Sequence, residues 1–366
     1  MENYQKALNY ETVVSVLNKA DHFCMDVFKR ISEKCNTADE LPYDVQVYAE
    51  EMGVAPTVVN EAYSRCRLRF EKLDPNTIII DPTSVWWPTD VTGVPFLYLL
   101  GDATVLGSVG ISVVGTRSPS GRAMELTREV VDSLGKSGFT IVSGLAVGID
   151  GVAHIEALAR GHRTIGVIGT SVCDVYPPKH AKLQALVAQH GLLVSQFAPS
   201  RRVQQYFFMQ RNLLMSQISR GSFVIEDRDG GGGVRQAQYS QKQGKNVFIL
   251  RETYENRTYL WPRGFQNPVI VNLTANAGSL VKRALRQSSS PTGSGKVSHP
   301  ADGSRVARSE AGGNEDAVCE RAVNEAKDSS GGEKVTNVTG KKAHKKAGKG
   351  SSSKNGLKDI QLSLFD

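Results

Sequence analysis

Several stretches of the chain place glycine, hydroxyl and basic residues where an apolar run gives way to a helical pattern, a mix suited to holding an anion. The first is Gly115-Thr116-Arg117-Ser118-Pro119-Ser120-Gly121, directly after Ile111–Val114. Glycines let backbone N–H groups approach a phosphate, and a helix N-terminus adds partial positive charge. Arg117 adds a planar fork that bonds two oxygens at once. The spacing is not G-x-G-x-x-G, which disfavours a nicotinamide dinucleotide. The second is Ser143-Gly144-Leu145-Ala146-Val147-Gly148-Ile149-Asp150, followed by Ala153-His154. Asp150 stands where it can cap the next helix. With no nucleophile or metal partner near in sequence, Asp150 and His154 read as supports of their loop rather than as catalysts.

Three more stretches follow the same design. Gly166–Ser171 leads to Tyr176-Pro177-Pro178-Lys179-His180, and Tyr206-Phe207-Phe208-Met209-Gln210-Arg211-Asn212 interleaves aromatics with cations. That mix suits single-stranded nucleic acid, whose bases stack while its phosphates meet Lys and Arg; at least one of Tyr206, Phe207 and Phe208 is expected in the core. Glu226-Asp227-Arg228-Asp229 then runs into Gly230-Gly231-Gly232-Gly233 ahead of another helical pattern, again allowing close approach of a phosphate.

The elements that must position these loops are legible in the apolar pattern. Strands are predicted at 78–80, 96–100, 111–114, 140–142, 164–168, 192–195, 222–225, 246–250 and 269–271, with helices at 121–137, 151–160, 179–190, 209–219 and 234–243. Alternation of helices with continuous apolar strands implies a doubly wound α/β domain over about 111–286 with a mostly parallel sheet. Its strand-end loops gather at one edge, which makes that edge the expected polyanion site. Residues 1–73 read as a small helical N-terminal domain. There Val13, Leu17, Phe23, Val27, Phe28 and Ile31 recur at helical spacing, Gly53 ends one helix and Pro56 starts the next. Residues 74–110 form a lead-in.

The chain has 366 residues and a formal charge of +7, with 40% hydrophobic and 22% charged residues. That is the composition of a globular protein. No apolar run is long enough to span a bilayer, and the N-terminus lacks a signal pattern, so a cytoplasmic, membrane-free protein is expected. Five scattered cysteines without C-x-x-C pairs indicate neither a disulfide framework nor a metal site, and no cofactor is expected. Residues 334–358 hold eight lysines and no acid, so the remainder carries a net charge of −1. Residues 287–358 are too poor in large apolar side chains to offset ordering and are expected to be a disordered, Lys/Gly/Ser-rich tail. The tail ends in Gln361-Leu362-Ser363-Leu364-Phe365-Asp366, a short apolar peptide with the character of a tethered docking motif.

Taken in order, GTRSPSG, SGLAVGIDGVAHIEAL, YPPKH, GLLVSQF, FFMQRN and EDRDGGGGVRQA, preceded by Trp86-Trp87-Pro88, resemble the DNA-processing protein A (DprA/Smf) family over about 75–250. The resemblance implies an extended Rossmann-like fold that binds single-stranded DNA, commonly dimerises, loads the bacterial recombinase in recombination or natural transformation, and has no known catalytic chemistry. It implies strand-binding roles for Arg117, Lys179, Arg211, Asn212 and Phe208, with Gly115, Ser120, Gly144, Gly148, Gly231 and Gly232 in the binding loops. Gly231-Gly232-Gly233 stand where the family usually has Ser-Gly-Ser, Ser195-Gln196 where it has Ser-Glu, and Arg251-Glu252 where it has Pro-Gly. The terminal peptide is similar to those that bind the bacterial sliding clamp, which implies that Gln361, Leu362, Leu364 and Phe365 fill a hydrophobic pocket. One alternative is a nucleotide-binding regulator or antitoxin-like component of a phage-defence module. Another is a nucleotide phosphoribohydrolase, whose glycine loop precedes a glutamate; Gln236 stands at that place here and cannot act as a base.

Overall fold

The computed structural model describes residues 3–272 and 276–288. The chain begins with four helices, α1 (Tyr4–Leu17), α2 (Asp21–Ser32), α3 (Leu41–Met52) and α4 (Pro56–Phe70). Gly53 ends α3 in the left-handed region at φ 66°, and Pro56 opens α4, where its missing N–H costs nothing. Val13, Val27, Phe28 and Ile31 are buried as expected, but Phe23 is 46% exposed. On α2 the buried stripe runs through Cys24, Val27, Phe28 and Ile31, and residue 23 is turned about 100° away from it.

Strands and helices then alternate: β1 (Ile78–Ile80), β2 (Leu97–Gly101), β3 (Gly110–Val114), α5 (Gly121–Lys136), β4 (Thr140–Ser143), α6 (Ile149–Ala159), β5 (Thr164–Val167), α7 (Ala181–His190) and β6 (Leu192–Ser195). They are followed by α8 (Phe207–Ile218), β7 (Gly221–Val224), α9 (Gly232–Lys242), β8 (Asn246–Leu250), α10 (Arg251–Glu255), β9 (Val269–Val271) and α11 (Ala277–Ser288). Among the described residues the strands form one sheet in the order β1-β2-β6-β5-β4-β3-β7-β8-β9. Strands β3 to β9 run parallel, and β2 and β1 extend the β6 edge in antiparallel pairing. The chain steps outward from β3 to β6, then returns to lay β7 on the other flank of β3. Strand order reverses between β3 and β7, and a crevice opens beyond their carboxyl ends.

The central strands are buried almost throughout, and their side chains alternate between the two faces of the sheet with a period of two. Ile111, Val113, Ile141, Phe223 and Phe248 face α5, α6 and α11, while Val114, Val142, Ile165, Val224 and Ile249 face α8 and α9. Helices α1–α4 share an apolar core with Phe96 and Tyr98, and with Leu183 and Val187 of α7. They also hold a polar anchor: the largely covered Arg201, in the loop after β6, reaches Glu11 at 2.7 Å and Asp21 at 2.8 Å. Among the described residues no helix is long and apolar enough to cross a membrane. The expected tail beyond Ser288 and the peptide Gln361–Phe365 lie outside the described residues; Gln287 and Ser288 still belong to α11 rather than to a tail.

Candidate nucleic-acid interface

The loops after β3, β4, β5, β6 and β7 meet at the carboxyl edge of the sheet and lock onto one another. Thr116 N donates to Glu226 O at 2.7 Å, which ties the loop after β3 to the end of β7. Ile149 N donates to Thr116 O at 3.2 Å. Gly148 has φ +85°, and a side chain there would run into the backbone of Thr116 and Arg117. Only glycine lets the loop before α6 close on the loop that carries Arg117. The Arg117 side chain is exposed, and no hydrogen bond or ion pair engages it among the described residues.

Lys179 is held next to the same loops. It lies in the short 3-10 turn Pro178–His180, and the neighbouring His180 donates from Nδ1 to Leu145 O at 2.9 Å. Burial keeps the His180 imidazole below its ordinary value, with the bond to the Leu145 carbonyl pulling the other way. His180 was not assigned a role from sequence; its place between a proline-fixed turn and the glycine loop is the signal that was available. Lys179 is exposed and unpaired among the described residues, as are Arg202 after β6 and Arg228 after β7. Tyr176 and Tyr206 add rings that are 38% and 45% exposed at this edge.

The backbone amides behave differently from the expectation that they bind phosphate. Three carboxylates of the chain already occupy them. Glu226 accepts from the Ser120 hydroxyl at 2.6 Å and from Ser120 N at 3.4 Å, at the N-terminus of α5. Asp227 accepts from Gly233 N at 2.8 Å and Val234 N at 3.1 Å, at the start of α9. Asp150 accepts from Gly144 N at 3.2 Å. Ser120 therefore caps α5 and binds Glu226 rather than standing free for a ligand. Gly115 packs against the Glu226 carbonyl and Ile149, and Gly231 against the Asp227 carboxylate. Gly232 alone among these glycines faces open space, and its carbonyl accepts from Asn212 Nδ2 at 3.3 Å.

Arg211 requires a second correction. It is buried, and its Nη1 donates to Gly144 O and, at 3.0 Å, to Val167 O. Its guanidinium joins the ends of β4 and β5 from below instead of meeting phosphate. Gly144 is small because any side chain there would strike Arg211. Burial lowers the Arg211 pKa and the nearby Arg117 adds to that, while Asp150 opposes both. Burial also pushes the Asp150 carboxyl up to about 6, against the pull of Arg211 and of the Ala146 and Gly144 amides. His154 is fully enclosed, bonds Thr164 Oγ1 through Nδ1 at 2.8 Å, and is pushed down to about 3 by burial. Phe208 is half-buried, with Gly169 at its face and Tyr176 5.0 Å away, so the exposed ring of that pair is Tyr176. Phe207 is the core member, stacked on Phe197 at 4.1 Å. Gln236 is buried within the fold and donates to Ser112 on β3 at 3.0 Å, away from the strand-end crevice.

Interlocked glycine loops, a buried arginine beneath them and free cations above them form one connected arrangement, and sequence comparison gives it a lineage. Residues 87–260 match the family model of DNA recombination-mediator protein A. This segment belongs to the DNA-processing protein A (DprA/Smf) family. It is 37% identical over 160 residues to the protein Smf of Synechocystis, covering 43% of this chain and 40% of that one. To the DNA processing protein DprA of Bacillus subtilis it is 33% identical over 155 residues, 42% of this chain and 52% of that one. The chain thus spans about half the length of the curated relatives it matches. Among solved structures, DNA processing protein A from Streptococcus pneumoniae has the same fold, with a TM-score of 0.58 at 22% identity over 77% of this chain and 98% of that one. In this DprA/Smf segment the recognisable motifs therefore divide between a scaffold under the edge and cations on it.

Proposed function

We propose that the protein binds single-stranded DNA along the carboxyl edge of the sheet and acts as a DNA-processing protein in recombination or natural transformation. The observation that carries the reading is the set of exposed cations Arg117, Lys179, Arg202 and Arg228, unpaired among the described residues, beside the exposed rings of Tyr176 and Tyr206. Phosphates meet the cations, and bases stack on the rings. The engaged amides of the glycine loops fix the positions of Arg117 and Lys179 without themselves contacting the strand. In this reading Asn212 supports the Gly232 loop and Phe208 backs Tyr176.

The finer steps come from resemblance: by that to the family, the protein acts in the bacterial cytoplasm as a homodimer and loads the recombinase; by the terminal peptide's likeness to clamp-binding peptides, it is tethered to the sliding clamp through Gln361, Leu362, Leu364 and Phe365. Binding rather than catalysis is the proposed activity. The phosphoribohydrolase alternative is disfavoured by Gln236, which is an amide bonded to Ser112 and remote from the crevice. The experiment is an equilibrium titration of the full chain with a labelled oligothymidylate and with duplex of equal length at two salt concentrations. Tighter binding of the single strand, weakening as salt rises, is expected; equal or tighter binding of duplex overturns the proposal.

A further inference from the structure

The segment 251–264 leaves β8 at the same edge and is fastened over the loop after β7. Leu260 N and Trp261 N donate to Asp229 Oδ1 at 3.1 and 2.7 Å, and Trp261 Nε1 donates to Asp227 O at 2.7 Å. Trp261 and Phe265 are buried with ring centroids 6.1 Å apart, so the outward side chains stand on a fixed base. The acids of the segment are neutralised: Glu252 pairs with Arg122 at 3.1 Å, and Glu255 with Arg251 at 3.2 Å. Positive charge remains in excess. Arg257 is exposed and has no partner among the described residues, and the Arg263 guanidinium lies 5.8 Å over the Tyr254 ring. Arg228, also unpaired among the described residues, stands between Asp227, whose backbone carbonyl holds the segment down, and Asp229, whose carboxylate does.

We propose that Arg257, Arg263 and Tyr254 form a second single-strand-binding surface, continuous with the Arg117–Lys179 rim through Arg228. This rests on the single-strand reading above. A guanidinium laid on a tyrosine presents a flat cationic face to an unpaired base, while Arg228 and Arg257 meet the phosphates on either side. The bases of a duplex are stacked on each other and offer no such face, so charge and ring together select a single strand. A short strand is satisfied at the rim, and a longer one runs on over Arg228 to the Arg263–Tyr254 pair.

The test compares the full chain with Arg257→Ala/Arg263→Ala on oligothymidylates of about 8 and about 30 nucleotides, lengths that bracket a typical single-strand site. The variant is expected to bind the long strand about tenfold more weakly, with a salt slope shallower by about 1.4, and the short strand within about twofold of wild type. Arg257→Lys/Arg263→Lys restores the slope, since charge alone sets counterion release. An unchanged affinity and slope on the long strand overturns the proposal, and so does an equal loss on both lengths. If the unmodified chain binds neither strand, the single-strand reading fails first and this surface with it.

Discussion

Arg211 and Arg117 lie close enough to repel each other, yet they do opposite work. Arg211 is enclosed beneath the edge of the sheet and donates to the carbonyls of Gly144 and Val167. Arg117 stands in solvent one loop above, with its backbone held by Gly148 and its guanidinium unengaged. The same division runs through the region. Asp150, His154, Asp227 and Gln236 form a buried floor, each with at least one hydrogen bond inside the protein, while Arg117, Lys179, Arg202 and Arg228 form an exposed rim. In the proposed reading, floor residues set shape and stability, and rim residues meet the strand. A motif can therefore be essential to a binding protein without touching what it binds.

The comparison breaks most easily at the floor. Replacing Arg211 by Met leaves the Gly144 and Val167 carbonyls and the Asp150 carboxylate without their buried cation. The expected cost is about 3–5 kcal/mol of stability, measured by denaturant unfolding. Intact stability with lost strand binding would place Arg211 on the rim instead.

Next comes a pH effect. His154 has a folded pKa of about 3 against an ordinary 6.5, so the folded state excludes a proton that the unfolded chain accepts. The stability it contributes is full above pH 6.5 and is lost at about 1.4 kcal/mol per unit as pH falls toward 3. Asp150 works the other way: its raised folded value, about 6, returns stability as pH falls from 6 toward 4. His154→Gln is therefore expected to gain stability relative to wild type as the two are compared from pH 6.5 down to pH 4. Parallel pH–stability curves would contradict the buried neutral imidazole.

A smaller effect sharpens the rim. Glu226 places its carboxylate at the start of α5, beside the loop of Arg117, and opposes an incoming phosphate. Glu226→Gln keeps an acceptor for the Ser120 hydroxyl and removes the charge. Single-strand affinity is expected to rise about two- to threefold at low salt; a fall would make Glu226 part of the contact surface.

Much of the fold could be read from the chain because buried parallel strands are continuous apolar runs bounded by glycines and polar turns. Val113–Val114, Ile141–Val142 and Phe248–Leu250 announce themselves. The direction in which polar side chains point could not be read in the same way. Glu226-Asp227-Arg228-Asp229 is the same string whether its acids face solvent or fold back onto amides, and only the return of α5, α9 and the 256–264 loop to this edge supplies those amides. The strand-binding role of Arg211 follows from the resemblance of Arg211-Asn212 to the family's motif, which does not say which way the guanidinium points; its burial depends on the absence of a side chain at Gly144, 67 residues away in sequence. Helix α10 was missed because five residues are too few for a periodic signal.

The most direct test of the division is the salt dependence of single-strand binding by Arg117→Ala/Lys179→Ala, measured alongside its unfolding free energy. The expected result is unfolding within about 0.5 kcal/mol of wild type, affinity reduced about tenfold or more, and a slope against salt shallower by about 1.4. Unchanged affinity and slope in a fully stable variant would contradict the account.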